Sequence, residues 1–196
     1  MKKTSESRID VLSPTEGDSA VGVSESKWFV AIVKNNPERL CQQRLLNIGV
    51  KAYVPAQTEI RITAQGKQNE YNRALTLAMI FVYVSEEKRK ETANLPHIYR
   101  FMVDRTKKNN SGNHPFAIIP NEQLEKFRFM LCNADSTVYL ENAPIKVGDT
   151  VRVIKGKMVG LEGELIEDYT RKFIAILVDC LGCAKVTVSL DSISKV

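Results

Sequence analysis

The sequence is short of most of what catalysis or a membrane would need. No apolar run approaches the ~20 residues that span a bilayer, and the lysines at positions 2 and 3 have no apolar stretch of a secretory signal behind them. There is no phosphate-binding glycine loop, no dinucleotide fingerprint and no nucleophile elbow. The only histidines, His97 and His114, stand apart from any Ser, Cys or carboxylate constellation. Cys180 and Cys183 form a CxxC, but neither a second CxxC nor a paired-His motif supplies the two further ligands of tetrahedral zinc. The stretch "AKVTVSL" after them reads as strand, where a thioredoxin-like site needs a helix. The pair reads instead as part of a hairpin with Leu181 and Gly182 at its turn. With Cys41 and Cys132 the chain has four cysteines in a mid-sized sequence, which suits reduced thiols. These absences predict a soluble, cytoplasmic, monomeric protein that is no enzyme, with no catalytic residues, metal or cofactor.

What is present is a mixed α/β pattern with a mild positive charge. The net charge of +5 is spread unevenly. Residues 1–27 carry four basic and five acidic side chains, residues 28–144 sixteen and eleven, and residues 145–196 eight and seven. The excess therefore lies in the middle of the chain, a weak pull toward nucleic acid or an acidic protein surface. A plain basic, solvated face is the competing reading.

Residues 1–26, rich in Ser, Glu and Asp without apolar period, predict a disordered tail. "KWFVAIVK" (27–34) reads as a buried strand. Asn36 as N-cap, Pro37 at the first helical position and Gly49 at the end bracket a helix whose Leu40, Leu45 and Ile48 recur at near-helical spacing. A strand in "VKAYVPAQTEIRIT", a polar loop around Gly66 and an apolar strand "LTLAMIFVYV" (75–84) follow. A short helix over 86–94, a strand over 97–104 and a basic loop over 105–114 come next. A helix then opens near Asn121 and lines up Leu124, Phe127 and Leu131. Residues 133–144 read as a linker, and 145–196 as short strands and tight turns. The expected fold class is α+β: a domain over 27–132 with a mainly antiparallel sheet, then a small SH3-like β-barrel.

The segment "GDTVRVIKGKMVGLEGELI" places Gly156, Gly160 and Gly163 between two strands, with Lys155 and Lys157 beside the first. Glycine takes φ > 0 at little steric cost, so these positions suit a tight loop and a strand bend, and the lysines could face phosphate. This segment resembles the KOW motif of NusG-type and ribosomal proteins. "WFVAIVK" before a helix, "AYVPAQTEIRI", "LTLAMIFVYV" and "FAIIPNEQLEKF" resemble, in order, the elements of the NusG N-terminal domain. The resemblance runs from about 27 to 196, to the NusG/RfaH family of transcription elongation factors. Within it, the leader before Trp28 and the "LGCAKVTV" hairpin look like the UpxY-type antiterminators of capsular polysaccharide operons. One departure stands out: the family's "FPGY"-like sequence is replaced by Thr76, Leu77, Ala78 and Met79.

The resemblance implies a factor that binds the clamp helices of the largest RNA polymerase subunit through an apolar cleft, placed by position at Ile32, Tyr53, Leu77, Met79, Phe81 and Phe101. It also implies a second polymerase-loop contact near Arg89, Lys90 and Thr92, and an approach of Arg100, Arg105, Lys107 and Lys108 to non-template DNA or nascent RNA. For each of these residues, ordinary packing or a solvated surface is the competing reading. The barrel would meet Rho or a ribosomal protein in a general NusG, and RNA in a KOW assembly protein.

Overall fold

The computed structural model describes residues 25–34, 38–141, 148–168 and 171–196. The expected tail up to residue 24, the Asn36 and Pro37 helix start, and residues 142–147 around the expected linker lie outside them. No helix among the described residues is long and apolar enough to cross a membrane.

Strand β1 (Lys27–Val33) leads to helix α1 (Glu38–Asn47). Gly49, at φ 76°, closes the helix, and the Val50 N–H returns to the Leu45 carbonyl. The inward face of α1 differs from the expected one. Cys41 and Leu45, one turn apart, are buried, while Leu40 and Ile48 face outward. Pro55 divides the expected second strand into β2 (Lys51–Tyr53) and β3 (Ala56–Ile62). The Gly66 loop proves to be a hairpin turn into β4 (Gln68–Ala74), a polar strand with no apolar alternation to announce it. Next come β5 (Met79–Val84), α2 (Glu86–Ala93, capped by Ser85), β6 (Ile98–Phe101) and β7 (Ile118–Ile119). Helix α3 runs over Asn121–Asn133 with Pro120, rather than Asn121, at its cap position. Leu124, Phe127 and Leu131 point inward as their spacing predicts, joined by Met130.

The first sheet runs β2-β5-β1-β6, with β7 also on β1, and every pairing in it is antiparallel. Alternation along its strands sends Phe29, Ala31, Val33, Ile80, Val82 and Val84 into a core with Cys41 and Leu45 of α1. The other face turns toward α3.

After α3 the chain is held rather than loose. Gln57 donates to the Ser136 carbonyl and accepts from the Val138 N–H, Arg73 donates to the Val138 carbonyl, and Val138 is fully buried. Then β8 (Tyr139–Glu141) pairs with the second sheet. That sheet runs β13-β9-β10-β11-β12-β8 and is antiparallel throughout. Its remaining strands are β9 (Thr150–Val153), β10 (Glu162–Asp168), β11 (Arg171–Val178), β12 (Gly182–Thr187) and β13 (Ile193–Lys195). A single apolar cluster joins Leu124, Phe127 and Met130 of α3 to Ile174, Ile176 and Val178 of β11. The barrel therefore packs directly on α3.

Candidate functional site

The face of the first sheet turned toward α3 is ordered in three rows of cross-strand neighbours. Lys51, Tyr83 and Trp28 form one, Tyr53, Phe81 and Val30 the second, and Met79, Ile32 and Arg100 the third. Helix α3 covers the middle row. Phe81 is fully buried there, so its expected place in an open cleft is corrected: it is core. Phe101 is corrected too, because it lies on the opposite face, edge-on to Phe29 and Phe116. Tyr53 is half-buried, its ring under the Arg128 guanidinium at 5.2 Å, and burial pushes its hydroxyl pKa up to about 12.

The third row stays accessible and is extended by the approach into β5. Leu77 is 73% exposed. Ala78 sits at φ 57°, the left-handed region that an L-residue enters only at a cost. Two bonds hold it there: its N–H donates to Glu38 Oε1 at 2.5 Å, and its carbonyl accepts from the Val33 N–H at 2.8 Å. The backbone thus keeps the shape that a glycine would take freely, although the sequence has none at this point. Ile32, Met79, Arg100 and Met102 line one side of an open cavity of about 360 Å³, and Cys180 of the barrel lies on its rim.

Cys180 belongs to the turn joining β11 to β12. That turn is centred on residues 179 and 180, with Leu181 donating to the Val178 carbonyl and Gly182 already inside β12. The expected turn at Leu181 and Gly182 is therefore displaced toward Cys180, which takes φ 66°. Gln123 of α3 fixes this turn through both ends of its amide, donating to Asp179 Oδ1 at 3.1 Å and accepting from the Asp179 N–H at 2.7 Å. Burial, helped by the nearby Asp104 and Asp179 carboxylates, pushes the Cys180 thiol up to about 11. It is a poor nucleophile in this setting.

The expected second polymerase contact divides. Arg89 is buried, its guanidinium 3.5 Å from the Phe116 ring centre and paired with Glu86 at 2.5 Å. Thr92 is buried and bonds back to the Lys88 carbonyl. Both are structural, and this corrects their expected role; Lys90 alone of the three is exposed. Arg100, Arg105, Lys107 and Lys108 are all exposed, with Lys107 paired to the buried Asp104 at 3.2 Å. The Thr106 hydroxyl and N–H, which both donate to Asp104, hold that carboxylate below its usual pKa.

In the barrel loop, Gly156 (φ 87°) and Gly160 (φ 91°) are left-handed with open space around them. Gly163 has a different reason to be glycine: a Cβ there would strike the Ala175 carbonyl oxygen of the neighbouring strand. Lys155 is exposed, and Lys157 reaches Asp135, just past α3, at 2.5 Å. Glu38 and Gln123 are additions to the site that sequence reasoning does not reach. A glutamate in a first helical turn and a glutamine on an amphipathic helix have ordinary local explanations, and their partners lie 40 and 56 residues away.

The family model described as "Transcription termination factor nusG" matches residues 26–128. The protein "Transcription termination/antitermination protein NusG" of Streptococcus pyogenes serotype M3 is 25% identical over 167 residues, covering 79% of this chain and 87% of its own. Its serotype M1 counterpart gives the same figures. A solved structure described as "Domain interaction in Thermotoga maritima NusG" shares 16% identity at a TM-score of 0.41, covering 88% of this chain and 98% of that one.

Proposed function

The chain belongs to the NusG family, and from that membership we propose that it is a non-catalytic transcription termination/antitermination factor that rides on elongating RNA polymerase. The observation that carries the contact is the apolar rim of exposed Leu77 with half-buried Met79 and Ile32, left uncovered by α3 and presented by a strained, doubly held backbone. Strain that the surrounding structure over-determines collects at functional sites, and methionine suits an adaptable protein contact. The partner is the pair of clamp helices of the largest subunit. Arg100 and Arg105 line the same cavity as Met79 and Ile32, and with exposed Lys108 on the following loop they would meet the nucleic acid that passes the clamp.

The mechanism is differential binding. A factor that prefers the closed, pause-resistant clamp shifts the equilibrium by its affinity difference between the two states, and each ~1.4 kcal/mol of difference changes pausing about tenfold. We assign the chain to a specialised branch because Thr76, Leu77, Ala78 and Met79 replace the motif that general members keep, and to the one that serves polysaccharide operons because the leader before Trp28 and the "LGCAKVTV" hairpin resemble it. The relatives carrying the general NusG name favour a second reading, in which the barrel couples polymerase to Rho or the ribosome. Pull-down of the full chain on isolated clamp helices tests the contact: Leu77→Asp should abolish binding while circular dichroism stays unchanged. Retained binding by that variant would remove the rim from the interface. Transcription of a long polysaccharide operon with and without the factor separates the two branches.

A further inference from the structure

We propose that the opposite end of the same sheet face is a stacking site for single-stranded nucleic acid. The row Lys51, Tyr83 and Trp28 lies beyond the edge of α3 and forms the floor of an open groove of about 640 Å³, within the ~300–1,000 Å³ range of ligand clefts. Tyr53 continues the floor, Gln42 and Leu46 of α1 form one wall, and Glu125 and Arg128 of α3 form the other. Trp28 and Tyr83 have ring centres 5.1 Å apart, and all three aromatic rings are only half-buried.

Two cations frame these rings. Lys51 Nζ lies 5.6 Å from the Tyr83 ring centre, and Arg128 lies 5.2 Å from that of Tyr53. Arg128 is partly offset by Glu125 at 3.1 Å, whereas Lys51 makes no ion pair among the described residues. On the far side of Tyr83 a second depression is lined by Ser26, Glu87 and Lys88, the last paired to Glu91 at 2.8 Å. The arrangement is a line of π-faces with one cation, Lys51 or Arg128, beside each end of it. Proteins that hold single strands without reading sequence combine these two elements: rings for bases to stack on and cations for the phosphates between them. A duplex buries its base faces and cannot use the rings. A proline-rich peptide could use them but brings no negative charge for Lys51 and Arg128. The groove therefore fits an unpaired polynucleotide strand, DNA or RNA.

The site is separate from the polymerase rim, which uses Leu77, Met79 and Ile32, and the two can fail independently. Trp28 is the only tryptophan in the chain, so its fluorescence reports on the groove without labelling. Titrating the full chain with oligothymidylate and with oligouridylate should quench Trp28 saturably, and whichever binds tighter identifies the source. Tyr83→Leu should weaken binding at least tenfold. Lys51→Gln, a surface change that leaves the core intact, should reduce the slope of log affinity against log salt by about 0.7, the value for one lost single-strand phosphate contact. Absence of quenching by both oligonucleotides at low salt would overturn the site. So would affinity and salt slope unchanged in Lys51→Gln, which would place the strand elsewhere. Saturable quenching by a proline-rich peptide alone would reassign the groove to a protein partner. Binding of Lys51→Gln to clamp helices, measured in parallel, should equal that of the unaltered chain, so loss of one activity is not mistaken for loss of the other.

Discussion

Among the left-handed positions of the described residues, two sites obtain that conformation in different ways. The barrel loop uses glycine at residues 156 and 160, where the residue type itself supplies the conformation. The approach into β5 uses Ala78, where the conformation is imposed by Glu38 from one side and Val33 from the other. The first solution can be read from one residue. The second rests on partners forty and forty-five positions away, and it allows the rim residues beside it to change while the backbone stays in place.

The contrast is broken most severely at Gly163, a third kind of glycine whose role is close approach rather than φ. Gly163→Ala drives a Cβ into the Ala175 carbonyl oxygen, and backbone cannot move aside as a side-chain tip can. Overpacking typically costs about 1–3 kcal/mol and sometimes more, and a barrel of some fifty residues has a thin core. We expect a loss of about 3 kcal/mol, read by urea denaturation. Barrel amides should lose hydrogen-exchange protection before those of β1 and β5. Equal loss in both parts would mean that the barrel and the first sheet unfold as one unit.

A smaller effect separates strain from clash. Gly156 has nothing within contact range of a Cβ, so Gly156→Val tests the left-handed conformation alone and should cost about 2 kcal/mol. Gly156→Asn should cost clearly less, because asparagine tolerates that region. Equal costs would show that the loop does not keep φ positive. Changing Lys155 and Lys157 together to Gln should stay within about 0.5 kcal/mol, since the Lys157–Asp135 pair is fully at the surface.

Legibility follows the same division between local and distant causes. Strand β1, helix α2 and the inward face of α3 are readable because an apolar period or a cap marks each within a few residues. Strand β4 is not, since Gln68–Ala74 has no apolar alternation and is held by pairing with β3 and by Arg73 on Glu59. The α1 face is misread because Leu40 and Ile48 are as apolar as the buried Cys41 and Leu45. Position along the chain puts Phe81 and Phe101 in one cleft, because sequence does not show that α3 lies over one of them and that the other faces away. Residues 133–144 resemble a connector because Val138 takes its hydrogen bonds from the distant β3–β4 hairpin and its burial from the cluster shared by α3 and the barrel. That last difference has a measurable consequence. A fragment of residues 25–138 should be more stable than one of 25–132 by about 1 kcal/mol, from the hydrogen bonds to Gln57 and Arg73, since the barrel side of the Val138 pocket is absent from it. Thermal melts of the two fragments decide it.

A small change in stability bears most directly on the opening contrast. Ala78→Gly removes the left-handed penalty of about 1–2 kcal/mol but adds the flexibility of glycine to the unfolded chain, about 0.5–1 kcal/mol. The net gain should lie between about 0 and 1.5 kcal/mol. Its value lies in combination with Glu38→Ala. With alanine at position 78, loss of the Glu38 acceptor frees the backbone to relax out of the left-handed region, which moves Leu77 and Met79 and should weaken clamp-helix binding. With glycine there, the same loss costs a hydrogen bond but no strain drives the backbone away, so binding should recover while stability does not. A double-mutant cycle on both readouts should therefore show coupling in binding that is absent or reversed in stability. If Glu38→Ala weakens binding equally in both backgrounds, Glu38 acts through something other than the Ala78 backbone, and the left-handed turn before β5 is not imposed by that carboxylate.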